Sequence, residues 1–395
     1  MLEDSVFWKQ CDALDASVLR KRTSEKWSVY PEDVLPAWVA EMDYPVAPCI
    51  QEVLGHMVAQ SDLGYPYLEG PRVALFKKLL ARKYARYGWD VPAGQLELLG
   101  DVVQGLYVAL SAYSQPGDGV MVFTPIYPPF LSSVERMGRV LECQPLRRTQ
   151  KGYVLDIDAL KKHDYTRTKM VLLCHPHNPT GRVFSEEERR AIADVALEHG
   201  LVVVSDEIHA DLVYAPQTFR CFASLGSEVA ARTVTLTSAS KAFSIPGLHC
   251  AAALFGSEAL QEAFCAMPRH FRAGASIVGI EASVAAWEGG HGWLEAVVGY
   301  LDNNRKHLES FVREHLPQVV FHAPESTYLA WLDCEALALP MPPTAFFLHK
   351  ARVALGDGPQ FGAEGQHCVR VNFATSLRIL NHVLERMKHS VHTNR

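Results

Sequence analysis

The chain has 395 residues, of which 48% are apolar and 21% charged, and carries a formal net charge of −6. That length calls for more than one hydrophobic core, and the composition is that of an ordinary soluble globular protein. The acidic balance excludes the basic footprint of a nucleic-acid or anionic-membrane binder, so neither partner is expected.

In chain order, the first residues lack a basic stretch followed by an apolar run, so no signal peptide is expected. The pattern from there predicts a strand at 96–100, a helix at 102–113 and a strand at 120–123 entered through Gly117-Asp-Gly. A helix after Pro125-Ile-Tyr-Pro-Pro, then strands at 140–143 and 169–174, come next. A helix over 186–198 ends at His199-Gly200 and leads to β-branched runs at 201–205 and 233–237, with a weaker one at 251–255. Continuous apolar strands alternating with helices argue for an α/β fold whose parallel sheet is covered on both faces. A helical stretch over 276–316, broken at Gly289-Gly-His-Gly292, leads out of this domain. Strands at 327–333 and 368–373, a helix at 344–354 between them and a last helix at 377–388 then form a smaller α+β domain. The expected division is an N-terminal segment, 1–45, joining the small domain, a large domain over 46–290, and the small domain over 291–395. No apolar stretch reaches membrane-spanning length. The nine cysteines form no Cys-x-x-Cys pair, which suits a reducing cytoplasm, and the 17 histidines lack metal-ligand spacing, so no metal is expected.

Ligands of such sheets gather beyond the carboxyl ends of the strands. Tyr127, Asn178, Asp206 and Lys241 each stand just after an apolar run. A lysine in Ser238-Ala-Ser-Lys241, with an acid and an amide from two earlier strands, suits pyridoxal 5′-phosphate (PLP). Lys241 would form an imine with the aldehyde and act as base at the substrate Cα. Asp206 would pair with the ring nitrogen, and Asn178 would donate to the phenolic oxygen. Tyr127 would stack on the ring and His209 would help orient it. Ser238 and Ser240 offer hydroxyls to the phosphate, and Val103 and Gln104 offer backbone N–H groups at a helix start. Arg370, alone in the apolar strand Val-Arg-Val-Asn-Phe, matches an amino-acid carboxylate.

With these residues in view, the chain resembles the fold-type-I PLP enzymes, the aspartate aminotransferase superfamily, and most of all their cystathionine β-lyase-like branch. Pro36-Ala-Trp-Val-Ala-Glu-Met-Asp-Tyr44, Asp206-Glu-Ile-His-Ala-Asp-Leu-Val213, Ser238–Leu248 and Arg370-Val-Asn-Phe373 carry the resemblance. General aminotransferases usually have tyrosine where His209 stands. Glu41 departs from the branch's usual aspartate, and His249 lies where many aminotransferases have a second phosphate arginine. The resemblance implies a mostly parallel seven-stranded sheet in the large domain. It also implies a homodimer in which Tyr65 reaches the neighbouring subunit's phosphate. The expected reaction is α,β-elimination from L-cystathionine or a related L-cysteine S-conjugate, giving thiol, pyruvate and ammonia. An aminotransferase acting on an amino acid is the alternative, and a regulatory protein on the same fold is a more distant one.

Overall fold

The computed structural model of the protein describes residues 2–150 and 152–394. After an N-terminal helix, Leu2–Asp12, comes the short strand β1 (Leu35–Ala37). The helices Pro48–Ala59 and Pro71–Arg86 each open on proline, whose missing N–H costs nothing in a first turn. The alternating region then supplies β2 (Leu96–Leu99), β3 (Gly119–Thr124), β4 (Val140–Pro145) and the hairpin of β5 (Arg147–Thr149) and β6 (Gly152–Val154). It continues with β7 (Thr168–Cys174), β8 (Val202–Asp206), β9 (Thr233–Thr237) and β10 (Ala251–Phe255). Beyond two long helices lie β11 (Val320–Phe321), β12 (Leu329–Asp333), β13 (Val353–Asp357), β14 (Cys368–Asn372) and a last helix, Leu377–Thr393.

The large sheet has seven strands in the order β2-β10-β9-β8-β7-β3-β4, and only β10 runs against its neighbours. β3, β9 and β10 are buried along their whole length, as strands covered on both faces must be. Helix Val102–Tyr113 lies so close on this sheet that a Cβ at Gly105 would come within 2.9 Å of Leu236 Cδ2. The smaller sheet runs β1-β13-β14-β12-β11. Its core gathers Phe7, Leu35 and Ala37 from the N-terminal segment with Val297, Tyr328, Val371 and Leu384.

Two expectations are refined. The stretch 276–316 is two helices, Ile277–Gly289 and His291–His315, with Gly290 between them. The helix expected over 344–354 stops early. A turn at Pro343–Phe346 passes into a wide π-type turn, Phe347–Ala351, and Arg352 takes the left-handed conformation at φ 55°. Val353-Ala-Leu355 then pairs with β1 in parallel, and Gly356 and Asp357 pair with β14. Those partners lie hundreds of residues away or beyond the local window, and their pairing overrides local helix preference.

Candidate active site

The carboxyl ends of β3, β7, β8 and β9 lie side by side because the strands are parallel neighbours. A cavity of about 470 Å³ opens beyond them. Val103, Gln104, Tyr127, Asn178, Asp206, His209, Ser238, Ser240 and Lys241 all line it. Residues that the sequence argument gathered from five separate segments thus share one site.

Lys241 Nζ donates to the Ala40 carbonyl at 2.9 Å. Burial and the nearby Arg370 guanidinium lower its pKa to about 8, against the opposing pull of Asp206 and Glu41. An amine with that pKa is partly neutral near physiological pH, as a nucleophile and base must be. Asp206 ends β8, is buried, and accepts one hydrogen bond from the Ile208 N–H at 3.0 Å. Burial raises its carboxyl to about 7, with the Ile208 N–H and Lys241 partly offsetting that cost. A buried carboxylate so placed gains from any cation that enters the cavity.

Asn178 Oδ1 accepts from Arg370 Nη1 at 3.1 Å, which leaves the Asn178 amide N–H groups for a ligand in the cavity. Arg370 is 6% exposed, its Nη2 donates to the Trp38 carbonyl at 2.9 Å, and its guanidinium lies 4.9 Å from the centre of the Phe361 ring. Its Nε has no partner and, among the described residues, no carboxylate pairs with it. Burial lowers its pKa to about 10. A desolvated guanidinium with no anion is costly, and an arriving carboxylate relieves that cost. His209 is also buried, with its Nδ1 unpartnered and its ring edge-on to Tyr328. Burial, Lys241 and Arg370 depress its pKa to about 3, so the ring is neutral.

At the other end of the cavity, the Asp101 carboxylate caps helix Val102–Tyr113 by accepting from the Gln104 N–H at 2.7 Å. The N–H groups of Val102 and Val103 remain available, as first-turn donors do. The Gln104 side chain is itself engaged, binding the Gly100 N–H and the carbonyls of Phe271 and Ala273. Ser238 Oγ donates to the Cys250 carbonyl at 2.6 Å and accepts from the Ser240 N–H, so its single proton is committed. Ser240 carries the freer hydroxyl. Tyr127 opens the helix after β3, and its N–H donates to the Asn178 carbonyl at 3.1 Å. Tyr65 is not part of this cavity, and its side chain is fully exposed on the loop before helix Pro71–Arg86.

Not foreseen from the sequence are the backbone of residues 38–41, which accepts from Arg370 and Lys241, and the residues Tyr328 and Asn372 that bind it. Also not foreseen are Tyr107, Cys174 and Cys250 in the cavity wall. Tyr107 was the most findable, because it lies on the expected phosphate helix.

The residues fit PLP. The cavity presents a primary amine, a buried carboxylate for a ring cation, an uncommitted amide donor, and helix N–H groups with a serine hydroxyl for a phosphate. The model of the aminotransferase class I and II family matches residues 29–387. The cystathionine beta-lyase of Corynebacterium glutamicum is 34% identical, over 93% of this chain and 97% of that protein. The cystathionine beta-lyase PatB of Bacillus subtilis (strain 168) is 33% identical, over 94% and 96% respectively. The crystal structure of cystalysin from Treponema denticola, which contains a PLP cofactor, superposes with a TM-score of 0.89 at 28% identity, covering 95% of this chain and 98% of that one. The chain belongs to the aminotransferase class I and II family of fold-type-I PLP enzymes, in its cystathionine β-lyase-like branch.

Proposed function

We propose that the protein is a PLP-dependent carbon–sulfur β-lyase that cleaves L-cystathionine or related L-cysteine S-conjugates. The single observation that carries this is the grouping of Lys241, Asp206 and Asn178 in one cavity, with Arg370 bonded to Asn178 and, among the described residues, paired with no carboxylate. The cystathionine beta-lyases among the relatives direct that chemistry toward carbon–sulfur cleavage.

Bound PLP supplies an electron sink beside the substrate Cα. Lys241 is the residue that would hold the cofactor, and its Nζ would serve as the base that takes the substrate Cα proton. Asp206 would pair with the ring nitrogen and favour its protonated form, and the Asn178 amide would donate to the ring oxygen. The N–H of Val103, the hydroxyl of Ser240 and the Ser238–Ser240 turn would hold the phosphate, with the helix start that Gln104 braces. Tyr127 and neutral His209, both in the cavity wall, would confine the ring. Arg370, held by the Trp38 carbonyl and Asn178 Oδ1 with its Nε unpartnered, would grip the substrate carboxylate. The β-thiolate leaves with the bonding pair, needing no strong acid because a thiol pKa is about 8.5. Addition of water then yields pyruvate and ammonia.

The same reading makes the protein a homodimer, supported by fully exposed Tyr65 beside Leu63 and Tyr67, which are also largely exposed. Tyr65 would complete the partner's phosphate site. The domain division falls at 45/46 and 290/291, supported by the packing of the N-terminal segment into the small-domain core and by the helix break at Gly290. All nine cysteines are free, which fits a cytoplasmic protein. No helix among the described residues is long and apolar enough to cross a membrane. The test is a panel of L-cysteine S-conjugates with the PLP-loaded protein. Thiol, pyruvate and ammonia should appear in equal amounts, and release of none of them from any conjugate overturns the reading.

A further inference from the structure

Residues 38–43 form a strap between the two sheets, and its successive carbonyl oxygens each meet a side-chain donor. Trp38 O accepts from Arg370 Nη2, and Ala40 O accepts from both Lys241 Nζ and Tyr328 Oη, each at 2.9 Å. Asn372 Nδ2 binds Val39 O at 2.5 Å and Glu41 O at 2.7 Å, while Met42 O accepts from Ser244 Oγ and Asp43 O from Arg22 Nη2. Lys26 Nζ also reaches Glu41 O, and it pairs with the buried Asp43 carboxylate at 2.9 Å. The Asn372 oxygen is held by the Ala374 N–H at 2.7 Å, which fixes the direction in which its amide points. Asn372 is 1% exposed and lies two residues after Arg370 on β14, so both side chains leave the same face of the strand. One strand face thus sends a guanidinium to Trp38 O and an amide to Val39 O and Glu41 O. The carbonyl between the last two holds the lysine.

We propose that Asn372 is a positioning residue, clamping the strap to β14 so that the Ala40 carbonyl seats the free amine of Lys241 and the Trp38 carbonyl aims Arg370. This deepens the lyase reading, because the amine is free when substrate occupies the cofactor. Lys241 then needs a fixed seat within reach of Cα. Tyr328 shares that seat and opposes it, since its hydroxyl draws on the same oxygen. The charged and titratable groups facing Lys241 are Arg370, Asp206, Glu41, His209 and Tyr328, and the substitutions below remove only the Tyr328 hydroxyl among them.

The test follows the rate at which added PLP combines with the PLP-free full-length chain across pH, because only neutral Lys241 attacks the aldehyde. Asn372→Ala frees the strap, so protonated Lys241 loses its acceptor and the midpoint should fall by about half a pH unit or more. Tyr328→Phe leaves the Ala40 oxygen to Lys241 alone, and the midpoint should rise. Leu384→Ala, in the small-domain core, serves as the stability control and should leave the midpoint in place while lowering Tm. In the loaded enzyme, Asn372→Ala should lower kcat and raise KM, reflecting Lys241 and Arg370 respectively. Unmoved midpoints, shifts of the same sign in both variants, or an equal shift in Leu384→Ala would overturn the proposal. Should Asn372→Ala not fold, the sign of the Tyr328→Phe shift decides alone. Because the association rate involves no substrate, its outcome is independent of whether the enzyme is a lyase.

Discussion

Asp206 is predicted to act in opposite directions in the free and the loaded protein. Without PLP its carboxyl is raised from 3.8 to about 7, because burial penalises the charge more than the Ile208 N–H and Lys241 repay it. A carboxyl raised above its unfolded value imposes no penalty below pH 3.8. The penalty grows as pH climbs from there and is complete above about 7. That interval corresponds to about 4 kcal/mol. Asp206→Asn removes the penalty while keeping an oxygen for the Ile208 N–H, so the PLP-free variant should gain on the order of 2–4 kcal/mol at pH 8.5. At pH 4 the gain should nearly vanish. With PLP present the sign reverses, since a neutral amide cannot pair with a ring cation. Loss of that charge-assisted bond, worth about 1.5–3 kcal/mol, should weaken PLP binding by roughly 10- to 150-fold. Thermal unfolding of the PLP-free chain at the two pH values, with an absorbance titration of PLP, reads both effects. A PLP-free variant less stable than wild type at pH 8.5, or one that binds PLP as tightly, would refute the reasoning.

Other outcomes follow from the same geometry. Lys241→Ala should leave a folded protein with no turnover, and borohydride should no longer fix PLP to the 238–244 peptide, as mass spectrometry would show. Arg370→Lys keeps the charge but not the fork that meets a carboxylate while bonding Asn178, so KM should rise at least about tenfold with kcat less affected. A KM within about twofold of wild type would remove the carboxylate role. In the wild-type chain, PLP association should accelerate with pH and level off above about 8, as Lys241 loses its proton. Tyr65→Ala should weaken PLP retention although Tyr65 lies outside its own subunit's cavity, and sedimentation should show a dimer. A monomer with undiminished PLP retention would contradict the shared site.

Much of the site was legible because its chemistry stands at strand ends. Asn178, Asp206 and Ser238 follow strands that are neighbours in a parallel sheet, so strand order alone brings them together. Arg370 was legible by contrast, as a lone cation in a buried strand. Asn372 two residues later was not, because a buried amide in a strand has many uses and its partners are carbonyls more than 330 residues earlier. The strap escaped notice for a related reason: backbone oxygens act here, and no residue type announces them. β13 was hidden by a helical pattern that runs into it, and only pairing with β1 and β14 sets its state. The engagement of Ser238 by the Cys250 carbonyl likewise depends on a residue just before the next strand.

A lyase and an aminotransferase would use the same lysine and arginine up to removal of the Cα proton, and they part in what becomes of the cofactor. The most direct measurement therefore follows PLP-loaded protein with excess L-cystathionine and no added keto acid. The account predicts continuous release of thiol and pyruvate over many turnovers, with the cofactor absorbance returning to its starting form. Turnover that halts after about one equivalent and resumes only on addition of a keto acid would contradict it.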